Sequence, residues 1–255
     1  EHLPVKQMLS GSASYSAEDI QHIVFGSTKA KAGISNIRFD SAYLSLEFKD
    51  IAGYFGGFSE LGFWESMGRD NVLESLNVGN MTPYTSPTYE GAVNFFPDGI
   101  EGHQILPATD YVVWIMPESE TGEYIADDFI IYSFTSAPVV ADNSIPAPLC
   151  EVTEVTYGGF TAKVTPASGA YKTYAAIRKV SALPEEETQG VMELIDINSF
   201  SSGNEILEIS ANSFSSDDEV CIVAVSITED GRYGKVHQQV VPPKELEYSD
   251  AFSVT

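Results

Sequence analysis

At 255 residues the chain has room for one large domain or two ordinary ones, each able to bury its own core without a staple. Apolar residues make up 43% and aromatics 11%, which excludes a disordered polymer. With 13 Lys+Arg against 37 Asp+Glu the net charge is −24, a field that repels phosphate backbones and anionic membrane surfaces, so nucleic acid is not an expected partner.

No stretch approaches the ~20 apolar residues of a spanning helix. No basic segment followed by an apolar run opens the chain, so no export signal is read at its start. The beginning at Glu1, without methionine, is that expected of a processed or trimmed form.

In chain order, the first thirty residues allow two readings. Tyr15-Ser-Ala-Glu-Asp-Ile20 echoes Tyr124-Ile-Ala-Asp-Asp-Phe129, and Phe25 then falls where Phe134 would. This is either the last hairpin of an earlier repeat or a strand that adds to the first domain. Residues 41–48 alternate apolar and polar side chains at period two, as a half-buried strand does.

Tyr54-Phe-Gly-Gly-Phe-Ser-Glu-Leu-Gly-Phe-Trp64 follows. Glycines beside aromatics let rings stack on a ligand, so Tyr54, Phe55, Phe58 and Trp64 form a candidate binding platform for a sugar or a protein. Tyr84 and Tyr89, in the Pro- and Thr-rich loop over residues 81–90, would extend it. The favoured competing reading makes Phe58, Leu61 and Phe63 or Trp64 core residues of a strand and its flanking loop.

Residues 70–76 predict a short helix with Asp70 as N-cap. Ile105-Leu-Pro-Ala-Thr-Asp-Tyr111 then turns the chain into an apolar run, residues 112–116, and a second turn ending at Gly122. Residues 134–138 close a β run. Residues 139–148, rich in Ala, Pro, Asp, Asn and Ser, predict an interdomain linker. Tyr171 to Arg178 predicts a strand, and residues 184–194 a helical turn or two. Pro242-Pro243 breaks any ladder before a final edge strand over residues 248–255.

The chain repeats itself. Tyr111 to Gly122 and Val220 to Gly231 each span eleven steps, an apolar strand running into an acidic, glycine-containing turn and then a tyrosine, Tyr124 or Tyr233. Residues 41–48 likewise resemble residues 158–164. Two copies of roughly 110 residues predict tandem domains rather than a solenoid, whose period is about 20–50.

Chemistry leaves little trace. His2, His22, His103 and His237 form no spaced pair with each other or with a cysteine, so no zinc pattern appears. There is no phosphate-cradling Gly-rich loop and no Gly-x-Ser-x-Gly elbow. The 37 acids supply many carboxylate pairs for glycoside hydrolysis and single out none. Asp127-Asp128 and Asp217-Asp218-Glu219 are the tightest acid clusters, but neither has EF-hand spacing. Charge that guards strand edges and loops is the favoured reading over calcium. No catalytic residue, metal or cofactor is assigned.

On Ile105-x-Pro107-x-Thr109-x-Tyr111, the strand after it and the closing Phe134-Thr135, the first copy resembles a fibronectin type III-like domain of the immunoglobulin-like class. The resemblance implies a buried Tyr111 whose hydroxyl bonds back to upstream backbone. The second copy holds Val220 at that position, with no proline turn before it, and follows by the repeat.

The expected fold is all-β: an N-terminal extension (1–30), a first sandwich (31–138), a linker (139–148) and a second, more divergent sandwich (149–255). Cys150 and Cys221 would then lie on strands of different sheets, with Cys221 one residue past an inward-facing Val220, so a bridge is possible but not favoured. Tandem modules of this kind occur in secreted or lipid-anchored bacterial surface proteins as spacers, adhesion modules or glycan-system accessories. The implied function is non-catalytic binding or scaffolding, with a protein or glycan at the cell surface as partner and membrane association only through a lipid anchor outside this chain. The alternative is a carbohydrate-binding accessory or hydrolase.

Overall fold

The computed structural model describes residues 22–26, 30–78, 83–97, 103–119, 121–122, 124, 129–156, 159–196, 200–211 and 219–242. The chain divides into two compact units, Glu1–Pro138 and Val139–Thr255, and both are β-sandwiches.

In the first unit, β1 (His22–Gly26), β2 (Ala30–Ser35), β3 (Tyr43–Phe48) and β5 (Thr88–Ala92) form one antiparallel sheet in the order β1-β2-β3-β5. β4 (Gly53–Glu60), β6 (Asp110–Glu118) and β7 (Ile130–Thr135) form the other, in the order β4-β6-β7. Strands β2, β3 and β5 stand as A, B and E of an immunoglobulin-like sandwich, and β4, β6 and β7 as C, F and G. β1 is an extra strand outside A. Of the two readings of the first thirty residues, the added strand is the one formed over His22–Gly26; residues 15–20 lie outside the described residues.

Period-two alternation supplies the core. Ile34, Leu44, Leu46 and Phe48 from one sheet meet Tyr54, Phe58, Val113, Ile115 and Phe134 from the other. At the entry to β6, Tyr111 is 1% exposed, and the Leu106 N–H donates to its hydroxyl oxygen at 2.7 Å. Burial raises the Tyr111 pKa, so the hydroxyl stays protonated. The turn before it is held by Ser136, whose Oγ accepts from the Thr109 N–H at 3.0 Å and donates to the Leu106 carbonyl at 2.5 Å.

The helical content exceeds the expectation. The strand and flanking loop expected over residues 54–64 is a strand only to Glu60; α1 (Leu61–Met67) begins at the next residue. It stops at Gly68, whose φ of 73° suits a residue without a β-carbon and whose N–H closes on the Trp64 carbonyl at 2.7 Å. α2 (Arg69–Val78) follows at once, so Asp70 is not its N-cap but lies in its first turn, where a carboxylate still favours the helix dipole. Trp64 and Val72 bury against Phe55, Val112, Met116 and Phe129 on the outer face of the β4-β6-β7 sheet. β6 is therefore buried on both faces.

The second unit repeats this plan. β9 (Leu149–Thr156), β10 (Gly159–Thr165) and β13 (Leu207–Ala211) form one sheet in the order β13-β10-β9. The other runs β12 (Phe200–Ser202), β11 (Lys172–Lys179), β14 (Val220–Ile227), β15 (Arg232–Tyr233) and β8 (Val140–Ala141), with β16 (His237–Val241) also on β14. Val164, Ala175, Val220, Ile222 and Ala224 lie between the sheets. α3 (Glu187–Asp196) follows the strand-C equivalent β11, as α1 follows β4, and packs against it with Val191, Leu194 and Ile195 buried. β14 is buried at every residue.

The internal repeat is a repeat of strand F and its turn. Glu118 bridges Tyr124, and Ile227 pairs with Tyr233. Gly122 and Gly231 have φ of 81° and 80°, and their N–H groups close on the Ser119 and Thr228 carbonyls at 2.9 and 3.0 Å. Both turns need the left-handed conformation, which is why glycine recurs.

The expected linker is part of the second unit. Val140–Ala141 pairs in parallel with β15, and the Arg232 guanidinium bonds Asp142 at 2.6 Å and Asp230 at 2.8 Å. Its Pro, Asp and Ser content reads as a linker because a two-residue strand is too short to leave a period. Replacing Tyr111 with Phe removes the acceptor of the Leu106 N–H, so Tyr111→Phe should cost about 1–3 kcal/mol. Urea unfolding should show a lower midpoint at unchanged m-value, with the far-ultraviolet spectrum of the folded state unaltered.

Candidate functional site

The aromatic stretch from Tyr54 to Trp64 does not form a platform. On β4 successive side chains point to opposite faces, so Tyr54 and Phe58 enter the intersheet core while Phe55 points to the helix-covered outer face. Tyr54 and Phe55 are each 2% exposed and Trp64 is 7% exposed. Tyr89 lies on β5 rather than in a loop and is buried, with its hydroxyl donating to the Ala92 carbonyl at 2.9 Å. Tyr84 pairs its backbone with Tyr54, N–H to carbonyl at 2.9 and 2.8 Å, and packs partly buried on the same core. The six candidates thus divide between two cores, and rings so deeply covered offer no face to a ligand. Phe63, adjacent to Trp64, is 60% exposed, because one helical step turns it away from the sheet.

The glycines do receive rings, but the protein's own. A β-carbon on Gly56 would lie 2.5 Å from the Phe96 ring, and one on Gly57 would lie 2.5 Å from the Trp114 indole. Phe96 stacks at 6.0 Å on Tyr54 inside the sandwich, and Trp114 stacks at 6.2 Å on Trp64 outside it. Trp114 from the paired strand and Phe96 from the turn after β5 lie over the strand glycines and restore the packing that the missing side chains forgo.

The ionisable groups are spread over the surface. Asp142 and Asp230 have lowered pKa values, Asp142 mainly through its bonds from Ser144 and Asp230 mainly through its bond from Thr228, with Arg232 adding to both. Two further ion pairs, Lys163 with Glu208 at 3.4 Å and Arg178 with Glu193 at 3.7 Å, are ordinary surface contacts. Among the described residues no three His, Cys, Asp or Glu side chains are grouped as metal ligands would be. Asp127-Asp128 and Asp217-Asp218 lie outside the described residues, as does the strand expected over 248–255.

Both cysteines are free and buried. Cys150 lies in the core between the sheets. Cys221, one residue past the inward Val220, points to the opposite face of β14, as the alternation predicted, and that face is covered too. Burial pushes the Cys150 thiol up to about 11 and raises that of Cys221.

What residue-by-residue reading passed over is an edge. β7, Ile-Ile-Tyr-Ser-Phe-Thr, pairs with β6 and stands last in its sheet among the described residues. Neither composition nor period marks a strand as central or outermost, because that depends on which partner it finds.

Strand order, the Tyr111 corner and the repeated F turn define the class: a tandem of immunoglobulin-like β-sandwiches in the fibronectin type III arrangement. No family model matches the chain, and no curated protein matches its sequence. Among solved structures it is similar to a two fibronectin type III domain segment from chicken tenascin, with 9% sequence identity and a TM-score of 0.27, covering 82% of this chain and 95% of that one. Among the described residues no helix is long and apolar enough to cross a membrane.

Gly57→Val places a branched side chain where the Trp114 indole lies, and overpacking of this kind should cost about 1–3 kcal/mol. Tryptophan emission of the folded protein should shift with it, whereas Phe63→Ser should leave stability within about 0.5 kcal/mol. The raised thiol values set an alkaline limit. The unfolded chain loses its thiol protons first, so their contribution is intact below about pH 8.5 and declines as pH rises through about 11. The urea midpoint should fall across that window, and the decline should be smaller in Cys150→Ala.

Proposed function

We propose that the chain is a non-catalytic binding and scaffold module of the adhesion type, working outside the cell or at its surface. The observation that carries this reading is how the two sandwiches are joined. The last residues of the first unit are tied down: the Ala137 N–H donates to the Arg38 carbonyl and the Ala137 carbonyl accepts from Ala108, both at 3.2 Å. The second unit takes hold again at once, with the Val140 N–H on the Gly231 carbonyl at 2.9 Å and the Asp142 N–H on the Tyr233 carbonyl at 2.8 Å. Only Pro138 and Val139 stand between these anchors, and proline restricts a connection further. Two sandwiches in series on so short a connection suit a spacer or a presented binding module.

The excess of acids fits a protein that remains soluble in an extracellular medium. Its partners in this reading are proteins or glycans at the surface, with attachment to a membrane through a lipid anchor carried elsewhere in a longer chain. The aromatic stretch read as a platform for a sugar or a protein is spent on packing, so neither partner is expected to use it.

A glycan array and a reducing-sugar assay on soluble polysaccharides test the proposal. No turnover is expected from the isolated protein; sustained release of reducing ends that survives repurification would overturn it. Limited proteolysis reads the connection, and no cut is expected between residues 136 and 145 under conditions that nick exposed loops.

A further inference from the structure

We infer that the cleft at the N-terminal end of α3, in the second unit, is an anchor pocket for one lysine side chain presented by a partner protein. This deepens the binding-module reading and rests on it.

α3 buries Val191, Leu194 and Ile195, but a cleft remains where the helix begins. Leu194 and Val223 line it and are buried, while Leu183, Pro184 and Val236 line it half-buried. Its volume is about 30 Å³. Free small-molecule ligands of ordinary size occupy pockets of about 300–1,000 Å³, so this one is sized for the tip of a single side chain. Side chains of that kind, seated in small pockets, are what anchor protein partners.

One glycine has no structural reason to be there. Gly190 lines the cleft as the fourth residue of α3, and helix interiors disfavour glycine. Its backbone is not left-handed. Outside its own helical turn, a β-carbon would meet one heavy atom within 4 Å, Pro184 Cγ at 4.0 Å, which is an ordinary contact. At Gly56, Gly57 and Gly234 the same carbon would come within 2.6 Å of a neighbour, so packing requires those glycines. Packing does not require Gly190. What its missing side chain does is leave the cleft open.

The charge selects the occupant. Glu186 and Glu187 line the rim and have no charged partner among the described residues. Glu193 also lines it and is shared between Arg178 at 3.7 Å and Gln189 at 3.2 Å. Three carboxylates against one guanidinium make the rim negative, on a chain whose net charge of −24 already draws basic partners. Glu187 also favours the dipole of α3, a role that leaves Gly190 unexplained. A lysine answers both halves of the cleft. Its four-carbon stem lies along Leu183, Pro184 and Val236, and its ammonium meets the glutamates. Lysine suits so small a cleft better than arginine, because its charge is a compact point rather than a wide fork.

The probe is the heptapeptide acetyl-Ser-Gly-Ser-Lys-Ser-Gly-Ser-amide, titrated into the intact protein at low salt while amide and methyl resonances are followed. Saturable shifts are expected at Gly190, Leu194, Val223 and Val236 and not in the first unit. The same peptide with norleucine keeps the stem and loses the charge, and should bind about fivefold more weakly. The arginine peptide should also bind more weakly. Gly190→Leu puts a side chain into the cleft and improves the helix, so the shifts should vanish while the urea midpoint stays level or rises. If that variant does not fold, Glu186→Gln combined with Glu187→Gln decides, and should reduce the lysine peptide to the affinity of the norleucine peptide. Absence of saturable shifts, shifts centred elsewhere, or undiminished binding by either variant overturns the inference. Equal affinity for the norleucine or arginine peptide overturns lysine as the occupant. Polysaccharide turnover would sink the scaffold reading without altering these titrations, so the two failures are distinct.

Discussion

Strand F in each unit is apolar on both faces, and the rest of the architecture answers that constraint. β6 and β14 run through the middle of their sheets with Tyr111, Val113 and Ile115, or Val220, Ile222 and Ala224, turned to the intersheet core. Their alternate residues, such as Val112 and Met116 or Val223 and Val225, are buried on the opposite side. A two-layer sandwich would leave that second row in water. The helices that follow strand C cover the outer face in the first unit, and α3 occupies the matching place in the second. Each unit is thus a sandwich with a helical third layer, and the helices' apolar residues are explained by what they cover.

The same demand accounts for the glycine–aromatic stretch. Once α1 brings Trp64 onto the outer face, Trp114 must lie flat between helix and strand, and Gly57 is the position that lets it. On the inner face Gly56 does the same for Phe96. Residue types that resemble a ligand platform arise because aromatic packing and aromatic recognition both need a ring against a surface free of β-carbons. Only solvent exposure separates them, and here it is absent.

The two units meet the shared plan with different devices. The first pins its corner with the Tyr111 hydroxyl and Ser136. The second has valine there and instead buries a Thr173–Ser226 hydroxyl pair at 2.7 Å, with Ser226 also accepting from the Ala167 N–H at 3.0 Å. Both devices satisfy polar groups at the margin of a core, which fixes a turn that apolar packing alone would leave free to slide.

By itself the sequence determined the tandem sandwich class, the repeat of strand F with its glycine turn, and the role of Tyr111, because each depends on local period or on residues a few positions apart. Period two also placed Cys221 on the face opposite Val220. The tertiary structure alone decided that Trp64 belongs to a helix, that Val140–Ala141 is a strand of the second unit, and that Phe55 and Tyr54 serve different cores. Burial and pairing are properties of a residue's distant neighbours, and the chain names those neighbours only when it folds.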